Sequence, residues 1–305
     1  MTLKIGIIGE TGQLARALIT CCAEQGLEAI SLNRSKLDLT GSDKEITSAL
    51  RAFDSAVAII NAAAYTAVDN AETDQDAAYQ VNAEAVKSIA QYCKNKDTTF
   101  IHVSTDYVFN GQNKTPYKPS DPTDPLGVYG RTKLQGEAFI REINGPHAIL
   151  RTSWVYDGTG KNFMTSMLRL AKERDSLTVV DDQLGRPTYA KHLAFACLAA
   201  ARSLLDAPQT RSGTYHVSNA GPVISWADFA RAIFDAAKVQ LSHPVTVTGI
   251  PSSEYPTPAK RPSYSAMDVS AFEAQFKHTL PNWSSGLEQA IVEWEKSNDK
   301  LNDKR

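Results

Sequence analysis

Cysteine is scarce in this chain, with four residues in 305, namely Cys21, Cys22, Cys93 and Cys197. None stands in a Cys-x-x-Cys pair or has a histidine at metal-ligand spacing. That excludes a disulfide scaffold and a zinc module, and it fits reduced thiols in a cytosolic, cytoplasmic protein. An excess of one charge is also missing: 32 Lys and Arg stand against 34 Asp and Glu, for a net charge of −2. With both signs spread along the chain, there is no basic patch for nucleic acid and no polybasic tract for a membrane surface. No apolar run approaches the ~18 residues of a membrane span. The chain shows no internal repeat, and its start runs straight into a strand without a charged leader. What remains is an ordinary soluble composition, 42% hydrophobic and 22% charged, long enough for one large or two coupled domains. The polar stretch from Lys296 to Arg305 is expected to fray.

The first half alternates apolar runs with helical patterns. Leu3–Ile8 is short and β-branched, as a buried parallel strand should be. Gly9-Glu-Thr-Gly12-Gln13-Leu14-Ala15 follows, then a helix to about Gln25. A glycine turn from a strand into a helix turns backbone N–H groups and the helix dipole toward a pyrophosphate. The spacing is GxxGxxA rather than GxGxxG, and a plain strand–turn–helix would carry it too. Leu27–Leu32 is the second strand. It ends in Asn33-Arg34, where NAD sites carry an acid for the ribose 2′-OH. An arginine there suits a 2′-phosphate, so NADPH is expected, with NADH still possible; a solvated loop cation is the plainer alternative. After Leu37-Asp38-Leu39, Thr40 or Ser42 can cap the next helix. Ala56–Asn61 is the third strand and leads into Ala62-Ala63-Ala64-Tyr65. Small residues at the carboxyl end of a parallel strand let a cofactor pass close, although core alanine looks the same.

A helix over about 77–93 carries Asn82, and Thr99–Ser104 is the fourth strand. At its end stand Thr105, Asp106 and Tyr107. The Thr105 hydroxyl can meet a substrate oxygen or merely bond its own backbone. Residues 116–126 hold four prolines and must form an irregular surface segment of the kind that often covers a site. Next comes Tyr129-Gly-Arg-Thr-Lys133, opening a helix. A Tyr and a Lys at i and i+4 share one helix face. A phenol of pKa near ~10 is a poor proton donor at neutral pH unless a neighbouring ammonium lowers that value. The pair is therefore suited to protonating a carbonyl oxygen while hydride reaches the carbon, although an exposed Tyr/Lys pair is the commoner meaning of the motif alone.

His147–Thr152 is the fifth strand, with Trp154 just beyond it. The second half is mixed. It holds a helix over 162–173, a strand at 177–180, a loop at 182–188, a helix at 192–205 and a strand at 214–217. A capping box at Ser225–Asp228 opens a helix to about Ala237. A Pro-rich loop over 251–262 contains Lys260-Arg261, suited to an anion or simply solvated, and a last helix runs from about 285 to 295. The expectation is an α/β protein with a Rossmann-like doubly wound parallel sheet and a smaller mixed α/β substrate domain. The dinucleotide-binding domain is expected over 1–152 with parts of 186–215. The substrate-binding domain is expected over 153–185 and 216–298, followed by a polar tail at 299–305.

Three stretches converge, Gly9–Ala15, Thr105 and Tyr129–Lys133, and together they resemble the extended short-chain dehydrogenase/reductase superfamily. Asn61–Glu72, Ser104–Phe109 (STDYVF), Arg151–Tyr156 (RTSWVY), Asp182–Thr188 and Tyr255–Pro262 are similar to the dTDP-4-dehydrorhamnose reductase family, from about Lys4 to Trp294. The resemblance implies NADPH-dependent reduction of the C4 keto group of dTDP-4-dehydro-β-L-rhamnose. That is the last step of dTDP-rhamnose biosynthesis, which feeds carbohydrates such as the lipopolysaccharide O-antigen. It implies Tyr129 as proton donor, Lys133 on the nicotinamide ribose, Thr105 on the reacting oxygen and Tyr107 tuning Tyr129. Asp106 and Trp154 would contact the sugar, and Arg261 is added as a candidate substrate contact. Cofactor contacts would come from Gly9, Gly12, Gln13, Leu14, Asn33, Arg34, Asp38, Leu39, Ala62, Ala63, Ala64 and Tyr65. Some relatives hold Mg²⁺ through glutamates at a dimer interface. The matching positions here are Ala17 and Lys191, so no metal is expected, in a monomer or a homodimer. Two alternatives stay open: a non-catalytic NADP-binding subunit like the regulatory subunit of methionine adenosyltransferase, and another nucleotide-sugar epimerase or dehydratase.

Overall fold

The β-branched runs become parallel strands because both of their faces are covered. The structure is a computed structural model and describes residues 2–239, 241 and 243–302. The strands are β1 (Lys4–Ile8), β2 (Glu28–Leu32), β3 (Ala58–Asn61), β4 (Thr99–Thr105), β5 (His147–Thr152) and β6 (Gly213–His216). They lie in the order β6-β5-β4-β3-β1-β2 with every pairing parallel. Strand residues alternate between faces. Ile5, Ile7, Ile60, Ile101 and Leu150 pack under α1 (Gln13–Glu24) and the long helix Ala190–Asp206. Ile8, Ile59, Phe100 and Ile149 pack against the opposite layer, α2 (Asp43–Leu50), α3 (Ala85–Asn95) and α4 (Val128–Ile143). This is the expected doubly wound α/β architecture. Chain order reverses between β1 and β3, and a crevice opens above the carboxyl ends of the strands at such a point.

The second half builds its own apolar cluster. Tyr156, Met164, Leu168, Phe229, Ile233, Trp283 and Leu287 meet there. With the long helix Ala190–Asp206 numbered α6, these residues come from α5 (Phe163–Leu170), α7 (Trp226–Ala236), α8 (Trp283–Asn302) and, for Tyr156, the short strand Val155–Tyr156. Of the two candidates it is Ser42 that caps α2, through a box with Glu45, and Ser225 caps α7 through a box with Asp228, as its spacing predicts.

Some details differ from expectation. The helix over 77–93 is interrupted by a π segment at Gln80–Glu84. The loop at 182–188 contains two-residue strands at Leu184–Gly185 and Thr188–Tyr189, the second running one residue past it. The strand Thr246–Ile250 and the helix Ser270–Phe276 carry no sequence expectation. The stretch from Lys296 does not fray at once, because α8 continues to Asn302; residues 303–305 of the expected tail lie outside the described residues. Among the described residues, no helix is long and apolar enough to cross a membrane.

Candidate active site

A cleft of about 900 Å³ opens at the carboxyl ends of β1, β3 and β4. Its floor at one end is the glycine turn. Gly9 has φ +112°, which a side chain would strain, and a Cβ there would stand 3.3 Å from the Ala15 Cβ. Gly12 is the N-cap of α1, and no side chain caps the helix. The first N–H groups of α1 therefore face the cleft with the positive end of the helix dipole. Gln13 is braced from the second half of the chain, its Oε1 accepting from Asn162 Nδ2 at 3.0 Å. Ala62, Ala63, Ala64 and Tyr65 form the adjoining wall, and Asn33, Arg34, Asp38 and Leu39 form the rim. The Arg34 side chain is 81% exposed and pairs with Asp38 at 3.8 Å. A small-residue wall beside an open helix start fits an extended dinucleotide, and an exposed guanidinium at the rim fits its phosphate.

Thr105, Asp106, Tyr107, Tyr129, Lys133 and Trp154 converge on the same cleft. Tyr129 and Lys133 lie on α4, and the others follow β4 and β5. Thr105 accepts the Tyr107 N–H at 3.2 Å and donates to Asp106 Oδ1 at 3.1 Å. Burial pushes the Tyr129 phenol up to about 12, while the facing Thr105 hydroxyl pulls it down and Asp106 adds to the rise. The Tyr107 ring meets Tyr129 edge-on, with centroids 5.6 Å apart. Burial carries the Asp106 carboxyl up to about 6, against the Ser265 and Thr105 hydroxyls.

One expectation is not met. Lys133 does not lower the Tyr129 phenol in this arrangement. Its Nζ bonds the Val103 carbonyl at 2.7 Å and lies 3.1 Å from His102 Nε2. Burial lowers the Lys133 ammonium to about 8, with Glu137 opposing.

Trp154 has φ +49°, an unfavourable backbone for a tryptophan. Its ring stacks on Trp226 at 3.6 Å and an 11° interplanar angle. Arg261 departs from the anion site expected of it. Its guanidinium is held by Asp69, with Nη1–Oδ1 at 3.1 Å and Nη2–Oδ2 at 2.8 Å, and it does not line the cleft. At the positions where a glutamate would ligate metal, Ala17 is half-buried and Lys191 pairs with Glu24 at 2.7 Å. No cluster of three metal-ligating side chains is found among the described residues.

Several supporting residues were given no role from sequence. Glu72 Oε1 accepts the Val128 N–H at 2.8 Å and so caps α4 from a distant segment. Asn82 accepts the Tyr65 N–H at 2.9 Å and donates to Thr132 at 3.1 Å, tying the cofactor wall to α4. Glu137 is fully buried and takes two bonds from Arg151, at 2.9 and 2.6 Å, and one from Ser104 at 2.6 Å. The only sequence signal for these was polar residues among apolar or small ones.

Comparison with known proteins agrees over nearly the whole length. A family described as the RmlD substrate binding domain matches residues 3–296. The dTDP-4-dehydrorhamnose reductase of Aggregatibacter actinomycetemcomitans is 40% identical over 287 residues, covering 93% of this chain and 97% of that protein. That of Salmonella typhimurium is 39% identical over 95% of this chain and 98% of its own. The crystal structure of dTDP-4-dehydrorhamnose reductase from Bacillus anthracis in complex with NADP superposes with a TM-score of 0.87 at 33% identity, covering 96% of this chain and all of that one.

Proposed function

The chain belongs to the dTDP-4-dehydrorhamnose reductase family, and from that premise we propose how its own residues carry the reaction. It is an NADPH-dependent oxidoreductase that reduces the C4 keto group of dTDP-4-dehydro-β-L-rhamnose, giving dTDP-L-rhamnose and NADP⁺. The observation that carries the reading is the meeting of Thr105 and Tyr129 in the cleft that the glycine turn opens into.

When bound, NADPH supplies the hydride to C4. The open N-terminus of α1 and the turn Gly9–Leu14 would receive the pyrophosphate, Ala62–Tyr65 would line the cofactor, and Arg34 would hold the 2′-phosphate. Thr105 holds the keto oxygen, and Tyr129 passes its phenolic proton to that oxygen as hydride arrives. Lys133, one turn along α4, would hold the nicotinamide ribose. Trp154 offers a flat apolar face to the sugar, fixed from behind by Trp226. Segments 153–185 and 216–298 form the substrate side. A cytoplasmic setting suits the four buried free thiols.

The test is loss of nicotinamide absorbance with NADPH and dTDP-4-dehydro-L-rhamnose, repeated with NADH. Tyr129→Phe is expected to lower kcat by ~10²–10⁴-fold with NADPH affinity nearly unchanged. Full kcat in that variant would remove Tyr129 from the role of acid. NADPH binding without turnover by the parent protein would favour the regulatory-subunit alternative.

A further inference from the structure

Asp69 and Glu72 stand on one short stretch beside the cofactor wall, and their carboxylates reach two different parts of the molecule. Thr66 and Val68 line the cleft together with Ala62–Tyr65, and the helical turn Val68–Ala71 follows at once. Glu72 accepts the Val128 N–H at 2.8 Å, at the start of α4. A Cβ on Gly127 would stand 2.6 Å from Glu72 Oε1, so the glycine leaves room for that carboxylate. Asp69 turns instead to the Pro-rich loop over 251–262. Its Oδ1 accepts Arg261 Nη1 and the Ala259 N–H, both at 3.1 Å, and its Oδ2 accepts Arg261 Nη2 at 2.8 Å. Two parallel bonds of this kind are what a guanidinium fork makes with a carboxylate and an ammonium cannot. Arg261 Nη1 also reaches the Thr257 hydroxyl and the Ala259 carbonyl oxygen, so the loop is folded around the guanidinium. Arg261 holds the Asp69 carboxyl below its ordinary range, and both members are charged at neutral pH.

The pair sits behind groups that face the cleft. Burial pushes the Tyr107 phenol up, and Arg261 is near enough for its charge to oppose that rise. The Tyr107 ring in turn meets Tyr129 edge-on. Just past Arg261 the backbone lies on the segment that leaves β4. A Cβ on Gly111 would stand 2.6 Å from the Ser263 N and 2.7 Å from the Pro262 Cα. Ser263 Oγ donates to the Gly111 carbonyl oxygen at 3.0 Å. One short stretch is therefore tied to the start of α4 by Glu72 and to the substrate side by Asp69.

We propose that Asp69 and Arg261 are positioning residues for the reduction: their bidentate pair fixes the 251–262 loop to the stretch that caps α4, and so holds the substrate side of the cleft in register with Tyr129. The proposal rests on the reading of Tyr129 as the proton donor. The anion that Arg261 serves is then a carboxylate of the protein. A fully exposed ion pair contributes little. This one is 23% and 36% exposed, is bidentate, and gathers the Ala259 N–H besides, on a residue that is itself 1% exposed. NADPH binding is separate from the pair, because the cofactor wall has bonds of its own, from Tyr65 to Asn82 and from Ala63 to Asn61.

The experiment compares Arg261→Lys, which keeps the charge and loses the fork, with Asp69→Asn, which keeps the shape and loses the charge, and with the double variant, all in the full chain. Each single variant is expected to raise KM for dTDP-4-dehydro-L-rhamnose about fivefold and to lower kcat about tenfold. NADPH affinity, read by fluorescence without turnover, is expected to stay within about twofold. The double variant is expected to be no worse than either single one, because both remove the same contact. A raised KM in Arg261→Lys with an unchanged or lowered KM in Asp69→Asn overturns the proposal, since Arg261 would then meet an anion of the substrate. Losses that multiply in the double variant, or a kcat that falls only with the folded fraction at constant KM, overturn it as well. Amide hydrogen exchange of the parent and both variants, without substrate, gives a readout that does not need turnover. Exchange is expected to speed up at 255–263 and at the first turn of α4, and unchanged exchange there overturns the proposal even where the reductase assay fails. If one single variant does not fold, the other decides the matter by the same exchange measurement.

Discussion

Asp106 is 2% exposed. Its pKa is raised in the folded chain to about 6, mainly by burial. A carboxyl with a raised folded pKa is protonated more readily in the native than in the unfolded state. Its contribution to stability is therefore full below its ordinary value of ~3.9 and is lost as pH rises through about 6. Asp106→Asn removes that loss. The variant is expected to be more stable than the parent at pH 8, by on the order of 3 kcal/mol, with the difference shrinking toward pH 4. Urea unfolding of both proteins across this range checks it, and a gap that does not vary with pH would contradict it. The site residues legible in the sequence were those proposed to meet reactants, Thr105, Asp106, Tyr129 and Lys133, because that chemistry demands a residue type at a spacing. His102 and Glu137 were not, since a lone His in a strand or Glu in a helix has no spacing that marks it.

At the scale of the element, α4 carries the proposed proton donor Tyr129, and its seat is tight. Its N-cap, Gly127, supplies no side chain, so Glu72 satisfies the Val128 N–H instead. An anion at a helix N-terminus is also favoured by the dipole. One residue past Tyr129, a Cβ on Gly130 would lie 2.2 Å from the Tyr107 carbonyl oxygen and 2.9 Å from the Pro125 Cβ. Gly130→Ala must therefore push α4 away from the end of β4, where Thr105 sits. Overpacking of this kind costs about 1–3 kcal/mol. The expected outcome is lower thermal stability together with at least a roughly tenfold drop in kcat, since a 1 Å misplacement is enough for such a loss. Normal kcat in a folded Gly130→Ala would mean that the helix tolerates the shift without separating Tyr129 from Thr105. The sequence marked this helix through Tyr129 and Lys133. It did not mark the π segment at Gln80–Glu84, which sets Asn82 between Tyr65 and Thr132. A π turn arises from packing against α4, and local propensity for it is weak.

Across the whole molecule, the two halves of the chain are joined at the cleft. Arg16 of α1 reaches Asp157 at 2.6 Å and Thr159 Oγ1 at 2.9 Å. Asn162, on the same loop, bonds Gln13 in the glycine turn. Arg16→Ala is expected to loosen this joint by about 1 kcal/mol, raising KM for NADPH and for the sugar nucleotide roughly fivefold with kcat little changed. Steady-state kinetics with each substrate varied in turn checks this; unchanged KM values would mean that Gln13 and Asn162 suffice. Metal removal gives a second test at this scale. Lys191 is ion-paired with Glu24 where a relative would offer a metal ligand, so activity is expected to persist in EDTA and to gain nothing from added Mg²⁺. Activity lost in EDTA and restored by Mg²⁺ would contradict that expectation.

The sequence by itself determined the parallel sheet, the glycine turn and the Thr105, Tyr129 and Lys133 set. Each is a local pattern: β-branched runs buried on both faces, a backbone conformation only glycine adopts with ease, and two side chains one helical turn apart. Only the tertiary structure decided which charges meet. It put Arg261 on Asp69 instead of an anion, Glu137 on Arg151, and His102 between Asn61 and Lys133. Those partners are 192, 14, 41 and 31 residues apart. Burial and hydrogen bonding at such separations depend on how β3, β4 and β5 align, and that alignment has no local signature. The Tyr129 phenol follows from the same cause. Its motif with Lys133 predicts a lowered pKa, whereas desolvation in the assembled cleft, with Lys133 turned to His102, raises it.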